Sequence, residues 1–295
     1  MLTDPFGRTI KNLRIAVTNR CNLNCIYCHR EGESDPGTEM SAERIAEIAK
    51  AFYELGIKKL KLTGGEPLLR KDICEIISMM PDFEEISLTT NGILLSDLAF
   101  DLKESGLDRV NISLDTLDAE TFRFITGGGE LSRVLEGLRM AVEAKLTPIK
   151  LNMVLMSGLN ESEVRKMLEF ANSFNENETN VILQLIELIP NSRTGKFYLD
   201  PTIFEKDFER VAKAVKIRDM HRRKQFITPF GVVEIVKPLD NTEFCMHCNR
   251  IRITSDGRIK LCLMSDETVD ISELSGDELK KAIFEAVKRR KPFFI

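Results

Sequence analysis

Three of the seven cysteines lie within eight positions of RCNLNCIYCHR, residues 20–30, at the spacing Cys-x3-Cys-x2-Cys. Three more form a second group, and Cys74 stands alone in a helical pattern typical of core packing. The groups are Cys21, Cys25 and Cys28, and Cys245, Cys248 and Cys262. Three thiolates hold three irons of a four-iron cluster and leave the fourth iron open. Such an iron can bind a small chelating molecule and pass it an electron.

A zinc site is the alternative interpretation of each cysteine group. Structural zinc takes four protein ligands, and the candidates for a fourth donor are His29 and His247. Each of these histidines is directly beside a cysteine in the chain, and adjacent residues seldom ligate one ion well. The spacing alone leaves this alternative open.

The composition argues against several classes of protein. The chain has 295 residues, 43% hydrophobic and 30% charged, with a formal net charge of −4. This charge gives no argument for nucleic acid or a membrane as partner. The sequence has no stretch near the roughly 18 apolar residues of a membrane span, and its start lacks the apolar region of a secretory signal. We expect a cytoplasmic protein, where reduced cysteines favour metal or redox chemistry over disulfides.

Six strand patterns alternate with amphipathic helical patterns. The strands are predicted at 13–18, 58–63, 85–90, 109–115, 149–156 and 181–188. Helices are predicted behind a Ser41 cap and around 70–80, 96–105, 131–144 and 162–174. The alternation predicts right-handed parallel units, and six units without a seventh predict an α/β fold with an incomplete (β/α)6 barrel of the TIM type. The chemistry of βα barrels lies at the carboxyl ends of the strands, where the first cysteine group is found.

The pattern changes after about residue 217. Residues 218–224 are rich in charge, and short strand-like pieces and the second cysteine group follow them. A helix is predicted over 277–290, before the basic end KRRKPFFI. We predict a barrel over residues 1–217 and a C-terminal extension over 218–295, which carries the second cysteine group and is not an independent domain.

Together the motifs resemble the GTP 3′,8-cyclase family of the radical S-adenosylmethionine (SAM) superfamily. The first cysteine group, with Tyr27 before its last cysteine and GGEP at 64–67, has the superfamily pattern. The second group, at Cys-x2-Cys-x13-Cys and followed through NRIR, is more selective. The similarity runs nearly end to end, through the segments LRIAVTNRCNLNCIYC, LKLTGGEPLLRKD, LTTNG, VNISLDTLD, KLNMVLM, IELIP and FCMHCNRIRITSDGRIKLCL.

The resemblance implies a complete reaction with its cofactors. It implies two [4Fe-4S] clusters, one on each cysteine group, with SAM bound to the open iron of the first and guanine facing that of the second. One electron cleaves SAM, and the resulting 5′-deoxyadenosyl radical abstracts the ribose 3′ hydrogen of GTP. The product is 3′,8-cyclo-7,8-dihydro-GTP, the first intermediate of molybdenum-cofactor biosynthesis. Cyclic pyranopterin monophosphate synthase is the implied downstream enzyme, whereas the electron donor and the oligomeric state, for which a homodimer is one option, stay open.

Five residues match SAM-contact positions of the family. They are Tyr27, Gly64, Gly65, Ser113 and Ile189. Tyr27 matches a main-chain contact, so its side-chain type is expected to matter less. Without a Cβ, Gly64 and Gly65 allow a close approach of the backbone to a ligand. Ser113 matches a ribose or carboxylate contact, and a helix cap or turn is its alternative role.

Eight residues match GTP-contact positions. They are Arg14, Lys59, Lys61, Thr89, Lys150, Arg250, Ile251 and Arg252, of which Arg14, Arg250 and Arg252 are the catalytic candidates. A triphosphate needs cations or main-chain donors. Parallel barrel strands are buried on both faces, so cations on the predicted strands are expected to point into the barrel at an anion.

Three departures from the family pattern limit the resemblance. Bacterial members end in a double glycine needed for turnover, which KRRKPFFI lacks, so another segment supplies that role or the mechanism differs. Gln184 stands where a cationic triphosphate contact is common, and Arg193 or Lys196 are the candidates to replace it. Ile189 replaces a methionine that contacts SAM.

Two other functions compete with the cyclase. A radical SAM peptide maturase with an auxiliary cluster would share both cysteine groups, but would not require cations on several inward strand positions. A non-catalytic, zinc-stapled RNA-binding protein would use the basic runs RRK at 222–224 and KRRK at 288–291. Basic runs at helix ends are usually solvated, and the whole chain is acidic.

Overall fold

Six parallel strands form the centre of the molecule. The computed structural model describes residues 1–33, 37–175 and 178–294. The strands are β1 Asn12–Thr18, β2 Lys59–Gly64, β3 Glu85–Thr90, β4 Arg109–Ser113, β5 Ile149–Val154 and β6 Val181–Ile186. They pair side by side in chain order, each parallel to the next. The incomplete parallel barrel predicted from the sequence is confirmed, and every strand end lies within two residues of its prediction.

Nine α-helices lie within the described residues. They are α1 Ala42–Glu54, α2 Ile73–Ser78, α3 Leu95–Glu104, α4 Ala119–Thr126, α5 Leu131–Glu143, α6 Val164–Asn172, α7 Thr202–Val211, α8 Thr242–Met246 and α9 Gly276–Lys288. The Ser41 cap is confirmed, because its side chain accepts a hydrogen bond from the Arg44 main chain at 3.2 Å. Helices α4, α7 and α8 were not predicted. Helix α4 is a second helix between β4 and β5, where the alternation calls for one, and α7 and α8 follow β6, beyond the six repeating units.

The two faces of the sheet differ in polarity because side chains alternate along a strand. Leu13, Ile15 and Val17 of β1 are at most 1% exposed and belong to the hydrophobic core. Helix α1 packs against β1 and α9 and buries Phe52 in the same core. Each such side chain contributes about 1.5–3 kcal/mol on burial. The opposite face of the strands is thereby left for polar side chains inside the barrel.

Strands from the C-terminal part extend this sheet at both edges. They are β7 Ala214–Ile217, β8 Lys224–Thr228, β9 Gly231–Val236, β10 Arg250–Ile253, β11 Arg258–Lys260 and β12 Thr268–Asp270. β10 pairs parallel with β1, and β9 pairs parallel with β6. Beyond them, β11, β12, β8 and β7 continue the sheet in antiparallel order. The extension is therefore part of the barrel sheet, while the boundary at 217/218 stays a prediction.

The two cysteine groups lie at opposite ends of β1. The first group follows the carboxyl end of the strand at Thr18. At the amino end, the Asn249 carbonyl accepts hydrogen bonds from the main chains of Lys11 and Asn12, at 3.0 and 3.1 Å, so Cys248 is near this end. A strand of seven residues is about 20 Å long. The region between the cysteine groups is the polar interior of the barrel.

Candidate active site

The first cysteine group forms a loop whose sulfurs accept main-chain hydrogen bonds. The Leu23 main chain donates to Cys21 Sγ at 3.4 Å, and that of Arg30 donates to Cys28 Sγ at 3.3 Å. All three cysteines are free thiols that interact electrostatically with one another. Hydrogen bonds to sulfur are one means by which a protein tunes an iron–sulfur cluster.

Acidic side chains surround this loop. Burial raises the pKa of the Cys25 thiol well above its ordinary value, and Asp115 adds to the rise. Burial also raises the pKa of Asp115 to about 6. The Tyr27 hydroxyl donates to Asp115 Oδ2 at 2.7 Å. The tyrosine side chain is therefore held in place by Asp115, in addition to the main-chain contact predicted for this residue. The sequence analysis did not single out Asp115.

Glu66 of the GGEP stretch is a second buried acid beside the loop. It is 0% exposed, and burial raises its pKa to about 7. Its oxygens accept hydrogen bonds from Thr90 Oγ1 at 2.8 Å and from the main chains of Asn91 and Leu68 at 2.7 and 3.0 Å. Glu66 ties the end of β2 to the end of β3 and adds negative charge beside Cys21.

Close backbone packing explains why GGEP has glycine at its first two positions, which the sequence did not reveal. Gly64 has a φ of +143°, and a Cβ there would lie 2.2 Å from the Thr18 carbonyl oxygen. A Cβ on Gly65 would lie 2.2 Å from the Arg20 carbonyl oxygen. Side chains at both positions are therefore excluded by the backbone that leads into the cysteine loop. This close approach is required whether or not a ligand is bound.

The remaining SAM candidates lie at the same end of the barrel. Ser113 is the last residue of β4 and is half-buried. Ile189 follows β6 and is also half-buried. The loop after β6 contacts the cysteine loop, because Asn191 Nδ2 donates to the Ile26 carbonyl at 3.1 Å. Their contacts with SAM stay a prediction.

The second cysteine group is surrounded by cations. Cys245 lies in α8, Cys248 precedes β10, and Cys262 follows β11. Burial opposes ionisation of Cys248, but the guanidinium groups of Arg290 and Arg250 outweigh it and lower the pKa of this thiol. Burial raises the pKa of Cys262, with a smaller contribution from Cys248.

The chemistry of both donor sets fits iron–sulfur clusters. Each set offers three free thiols, the preferred ligand of such clusters. In the part of the chain that the structure describes, no three His, Cys, Asp or Glu side chains are arranged around a single metal ion. His247, a candidate fourth zinc ligand, has its Nδ1 2.9 Å from the Glu243 carbonyl oxygen.

A cavity of about 410 Å³ lined by cations lies toward the amino ends of the barrel strands, on the side of the second cysteine group. Five of the eight predicted GTP-contact residues line it, namely Arg14, Lys59, Lys61, Lys150 and Arg250. Strand register explains the grouping, because Arg14 is paired with Arg252 on one side and with Lys61 on the other. The expectation that strand cations point into the barrel is met for these residues.

Two of the half-buried cations, Lys61 and Arg250, form no ion pair with a carboxylate among the described residues. Lys61 Nζ donates to Asn111 Oδ1 at 3.1 Å, and Arg250 Nη2 contacts Met220 Sδ at 3.1 Å. Burial lowers the pKa of Lys61 well below its ordinary value, and Arg109 and other nearby cations add to the shift. Burial and Arg14 do the same for Arg250. The site therefore has an excess of positive charge that a polyanion would offset.

Three carboxylates neutralise part of this charge. Glu31 accepts hydrogen bonds from Arg14 at 3.2 Å and Arg252 at 2.7 Å. Glu85 is paired with Lys59 and Arg109, and Glu234 with Lys150 and Arg223. Burial by itself would raise the pKa of Glu31, yet Arg14 and Arg252 hold this pKa well below its ordinary range. None of these acids was predicted as a site residue, since a glutamate beside a motif carries no distinguishing signal.

Three predicted GTP residues lie outside the cavity lining. Arg252 is held by Glu31, next to the cavity. Thr89 is half-buried near the end of β3 and is paired in register with Asn111. The side chain of Ile251 is 0% exposed in the hydrophobic core, opposite Arg250 and Arg252. The predicted contact of Ile251 with GTP would therefore be made by its main chain, and it stays a prediction.

A cation from another segment lies near Gln184. Arg193 and Lys196 are exposed on the loop after β6, and their proposed compensating role stays a prediction. Gln184 Nε2 donates to Glu234 Oε1 at 3.1 Å, and Arg223 Nη1 lies 2.9 Å from the same oxygen. Arg223 also lines the cavity and is a further candidate for this role.

Each of the two basic runs has an arginine that is turned away from solvent. Arg223 of the first run points into the cavity, and Lys224 is paired with Glu205 and Glu209. In the second run, Arg290 is 2% exposed and is paired with Asp4. The end of KRRKPFFI, Ile295, lies outside the described residues. Several of the cations in these runs are thus paired or buried, which leaves fewer of them for RNA than the sequence suggests.

A comparison with known families first defines the class of protein to which this chain belongs. The model of the radical SAM superfamily matches residues 15–171. A second family model, molybdenum cofactor synthesis C, matches residues 181–294. Membership of the radical SAM superfamily implies SAM and one [4Fe-4S] cluster as cofactors, in agreement with the first cysteine loop.

Curated relatives narrow the assignment. A probable GTP 3′,8-cyclase of Archaeoglobus fulgidus is 58% identical over 294 residues, covering 100% of this chain and 99% of the relative. A protein of the same name from Methanosarcina mazei is 46% identical over 304 residues, covering 100% of this chain and 90% of the relative. This chain belongs to the GTP 3′,8-cyclase family of radical SAM enzymes.

Solved structures share the fold at low sequence identity. Streptococcus suis SuiB bound to S-adenosylmethionine has a TM-score of 0.64 at 16% identity, covering 94% of this chain and 66% of SuiB. The enzyme anSMEcpe with bound AdoMet has a TM-score of 0.62 at 19% identity, covering 92% and 82%. Among the described residues, no helix has the length and apolar character needed to cross a bilayer.

Proposed function

We propose that the protein converts GTP to 3′,8-cyclo-7,8-dihydro-GTP in the first step of molybdenum-cofactor biosynthesis. The proposed cofactors are SAM and two [4Fe-4S] clusters. Cys21, Cys25 and Cys28 would hold the first cluster, and Cys245, Cys248 and Cys262 the second. The single observation that carries the proposal is the excess of cations in the cavity beside the second cysteine group.

The cavity suits a nucleoside triphosphate in size and charge. Its volume of about 410 Å³ falls in the ordinary range for small-molecule sites. Lys61 and Arg250 lack carboxylate partners in the described chain, so phosphate oxygens would supply the missing countercharge. Arg14, Lys150 and Arg252 would add charged hydrogen bonds from neighbouring strands. Lys59 and Thr89 are proposed as further contacts, together with the main chain of Ile251.

The acidic end of the barrel suits the other proposed ligand. SAM carries a positively charged sulfonium and an ammonium group, and Glu66 and Asp115 are buried acids beside the first cysteine loop. When bound, SAM and the reduced cluster supply the radical chemistry. Tyr27, Gly64, Gly65, Ser113 and Ile189 are proposed to orient SAM. The protein fixes both ligands in one enclosed site and limits the access of water.

The proposal includes a biological setting. We assign the reaction to the cytoplasm, with cyclic pyranopterin monophosphate synthase as the downstream enzyme. The electron donor is left unnamed, and a homodimer is one allowed state. We keep the division into a barrel over 1–217 and an extension over 218–295.

Anaerobic incubation with SAM, GTP and a reductant tests the proposal directly. Mass analysis is expected to show a cyclised product with the mass of GTP, together with 5′-deoxyadenosine. Omission of GTP should leave slow cleavage of SAM and no nucleotide product. Turnover of SAM without any change to GTP would overturn the assignment and favour a peptide maturase.

Arg252→Ala tests the proposed GTP site separately from the SAM site. The variant removes a cation that is held beside the cavity by Glu31. Loss of one charged hydrogen bond costs about 1.5–3 kcal/mol, so product formation should fall at least tenfold while uncoupled SAM cleavage stays measurable. Lys103→Ala, an exposed lysine on α3, is the control and should keep full activity. Full product formation by the Arg252 variant would contradict the proposed site.

A further inference from the structure

A buried network of charged residues from both ends of the chain lies behind the second cysteine group. Asp4 pairs with Arg8 at 2.7 Å and with Arg290 at 3.0 Å. The three residues are between 2% and 6% exposed. Two arginines around one carboxylate leave one net positive charge, buried where it is screened little by solvent.

The arginines of this network bind the main chain around all three cysteines. Arg8 Nη1 donates to the Cys245 carbonyl at 2.9 Å. Arg290 Nη2 donates to the Arg250 carbonyl at 2.9 Å and lies 3.4 Å from the Cys248 carbonyl. Its Nε lies 3.4 Å from the carbonyl of Leu261, the residue before Cys262. One guanidinium group thus connects two segments that carry cysteines.

Arg290 also contacts a cysteine sulfur. Its Nη2 lies 3.7 Å from Cys248 Sγ, within the range for a hydrogen bond to sulfur. Charge and hydrogen bonds at the cysteine sulfurs are among the properties that set the potential of an iron–sulfur cluster. In the first cysteine loop, the comparable donors to sulfur are neutral main-chain groups.

We propose that Arg290, held by Asp4, is a positioning residue that fixes the second cysteine group and raises the reduction potential of the cluster bound there. The inference rests on the proposed second cluster. Reduction adds a negative charge to the cluster, so a buried cation beside a ligand sulfur favours the reduced form. Asp4 opposes that effect by its charge and supports it by orienting the guanidinium group.

The test uses a full-length protein in which only the second cluster can form. The parent is Cys21→Ala/Cys25→Ala/Cys28→Ala, reconstituted anaerobically, with iron content measured and the cluster potential followed by EPR in a redox titration. Arg290→Met is expected to shift the potential to more negative values. At a fixed poise, the ratio of reduced to oxidised cluster should fall about tenfold, which corresponds to 59 mV for a one-electron couple.

Arg289→Met is the matched control. It makes the same change at the next residue, where the side chain is 51% exposed and paired with Glu267, and should leave the potential unchanged. Arg290→Lys keeps the charge but loses the planar fork, so its potential should stay near the parent value while iron retention falls. Asp4→Asn should shift the potential in the positive direction. Opposite signs at Arg290 and Asp4 would not result from a purely structural role.

The outcomes separate this inference from the proposed function. A parent variant that binds no iron–sulfur cluster would overturn the second cluster itself. A parent that binds the cluster, with equal potentials in Arg290→Met and Arg289→Met, would overturn the inference and leave the proposed function intact. If Arg290→Met retains no cluster, Arg290→Gln decides, because it keeps a hydrogen-bond donor and removes the charge: a negative shift supports the inference, and an unchanged potential overturns it.

Discussion

The two cysteine groups have the same number of thiols but opposite electrostatic surroundings. Beside the first group lie the buried acids Glu66 and Asp115, and burial raises the pKa of both Cys21 and Cys25. Beside the second group lie Arg250 and Arg290, and the pKa of Cys248 is lowered in spite of burial. One strand, β1, connects the two environments.

The difference indicates that the ends of the barrel are built for ligands of opposite charge. A cationic ligand is favoured beside buried carboxylates, and a polyanion is favoured beside half-buried cations that form no ion pair. Glu31 links the two ends, because it follows the first cysteine group closely in the chain and binds Arg252 from the second. Two cysteine groups of the same size are therefore suited to ligands of opposite charge, because the side chains around them differ. The following variants test this separation, from the largest expected effect to the smallest.

Removing one cysteine from each group should separate the two halves of the reaction. Cys21→Ala is expected to abolish SAM cleavage with little loss of GTP affinity, since the cations lie on the barrel strands and β10, outside the first cysteine loop. Cys248→Ala is expected to keep SAM cleavage and abolish the cyclised product. Anaerobic product analysis and calorimetric GTP binding measure both effects, and Cys74→Ala should retain both activities. Loss of GTP affinity in Cys21→Ala would show that the two ends are not independent.

Glu31→Gln should destabilise the protein most when no anion is bound. Its buried carboxylate is paired with Arg14 and Arg252, and breaking a buried pair costs roughly 3 kcal/mol in free energy of unfolding. A bound triphosphate would neutralise the two guanidinium groups that lose their carboxylate partner. Saturating GTP should therefore reduce the loss in free energy of unfolding. Thermal unfolding with and without GTP measures this.

The control for that experiment is Glu169→Gln, which breaks an exposed pair with Arg165. Surface pairs contribute roughly 0–1 kcal/mol, so its deficit should be small and insensitive to GTP. An equal deficit for Glu31→Gln in the two conditions would mean that Glu31 and GTP do not neutralise the same cations.

GTP affinity should fall as the pH rises above about 8. Burial lowers the pKa of Lys150 to about 8, although Glu234 opposes the shift. Below this pH the free protein carries a charged Lys150; above it, binding a polyanion requires uptake of a proton, and affinity falls by up to about tenfold per pH unit. The free energy of unfolding changes in the opposite direction. Between about pH 8 and pH 10.5 the unfolded chain binds more protons at Lys150 than the folded protein does, so stability rises with pH there.

Lys150→Arg is the matched variant for the pH experiment. Arginine stays charged throughout the range, so its affinity profile from pH 7 to 9.5 should be flat. A flat profile in the unmodified protein would show that Lys150 does not meet the phosphates as a charged group.

Tyr27→Phe should have the smallest effect, confined to the acidic end. Loss of the 2.7 Å hydrogen bond to Asp115 is expected to cost about 1 kcal/mol in free energy of unfolding. Because burial raises the pKa of Asp115 to about 6, this carboxyl is mostly protonated at pH 5 and ionised at pH 8. The loss should be larger at pH 8, where the bond is made to a charged oxygen.

Denaturant unfolding at the two pH values measures this difference. Tyr53→Phe, on an exposed face of α1, should change stability by less than about 0.5 kcal/mol at either pH. A pH-independent loss for Tyr27→Phe would mean that Asp115 is not ionised in the folded protein.

Local patterns in the sequence were enough to predict the central architecture. Strand ends fell within two residues, because buried parallel strands are continuous apolar runs bounded by turn residues. The inward direction of Arg14 and Lys61 also followed from strand alternation. The short helix α4 was missed, because the alternation of strands and helices calls for a single helix between β4 and β5 and α5 fills that place. Ile251 was assigned to the ligand by position alone, although alternation with Arg250 places it on the core side.

The cysteines, their spacing and the cations on alternate strand positions determined the class of chemistry, because these properties depend on neighbours in the chain. Only the tertiary structure decided which charges meet across long separations. It placed Arg223 beside Gln184, Glu31 against Arg252 and Arg290 behind Cys248. Each of these contacts joins residues that are far apart in the chain. Pairing over such a separation leaves no periodic pattern or motif in the sequence.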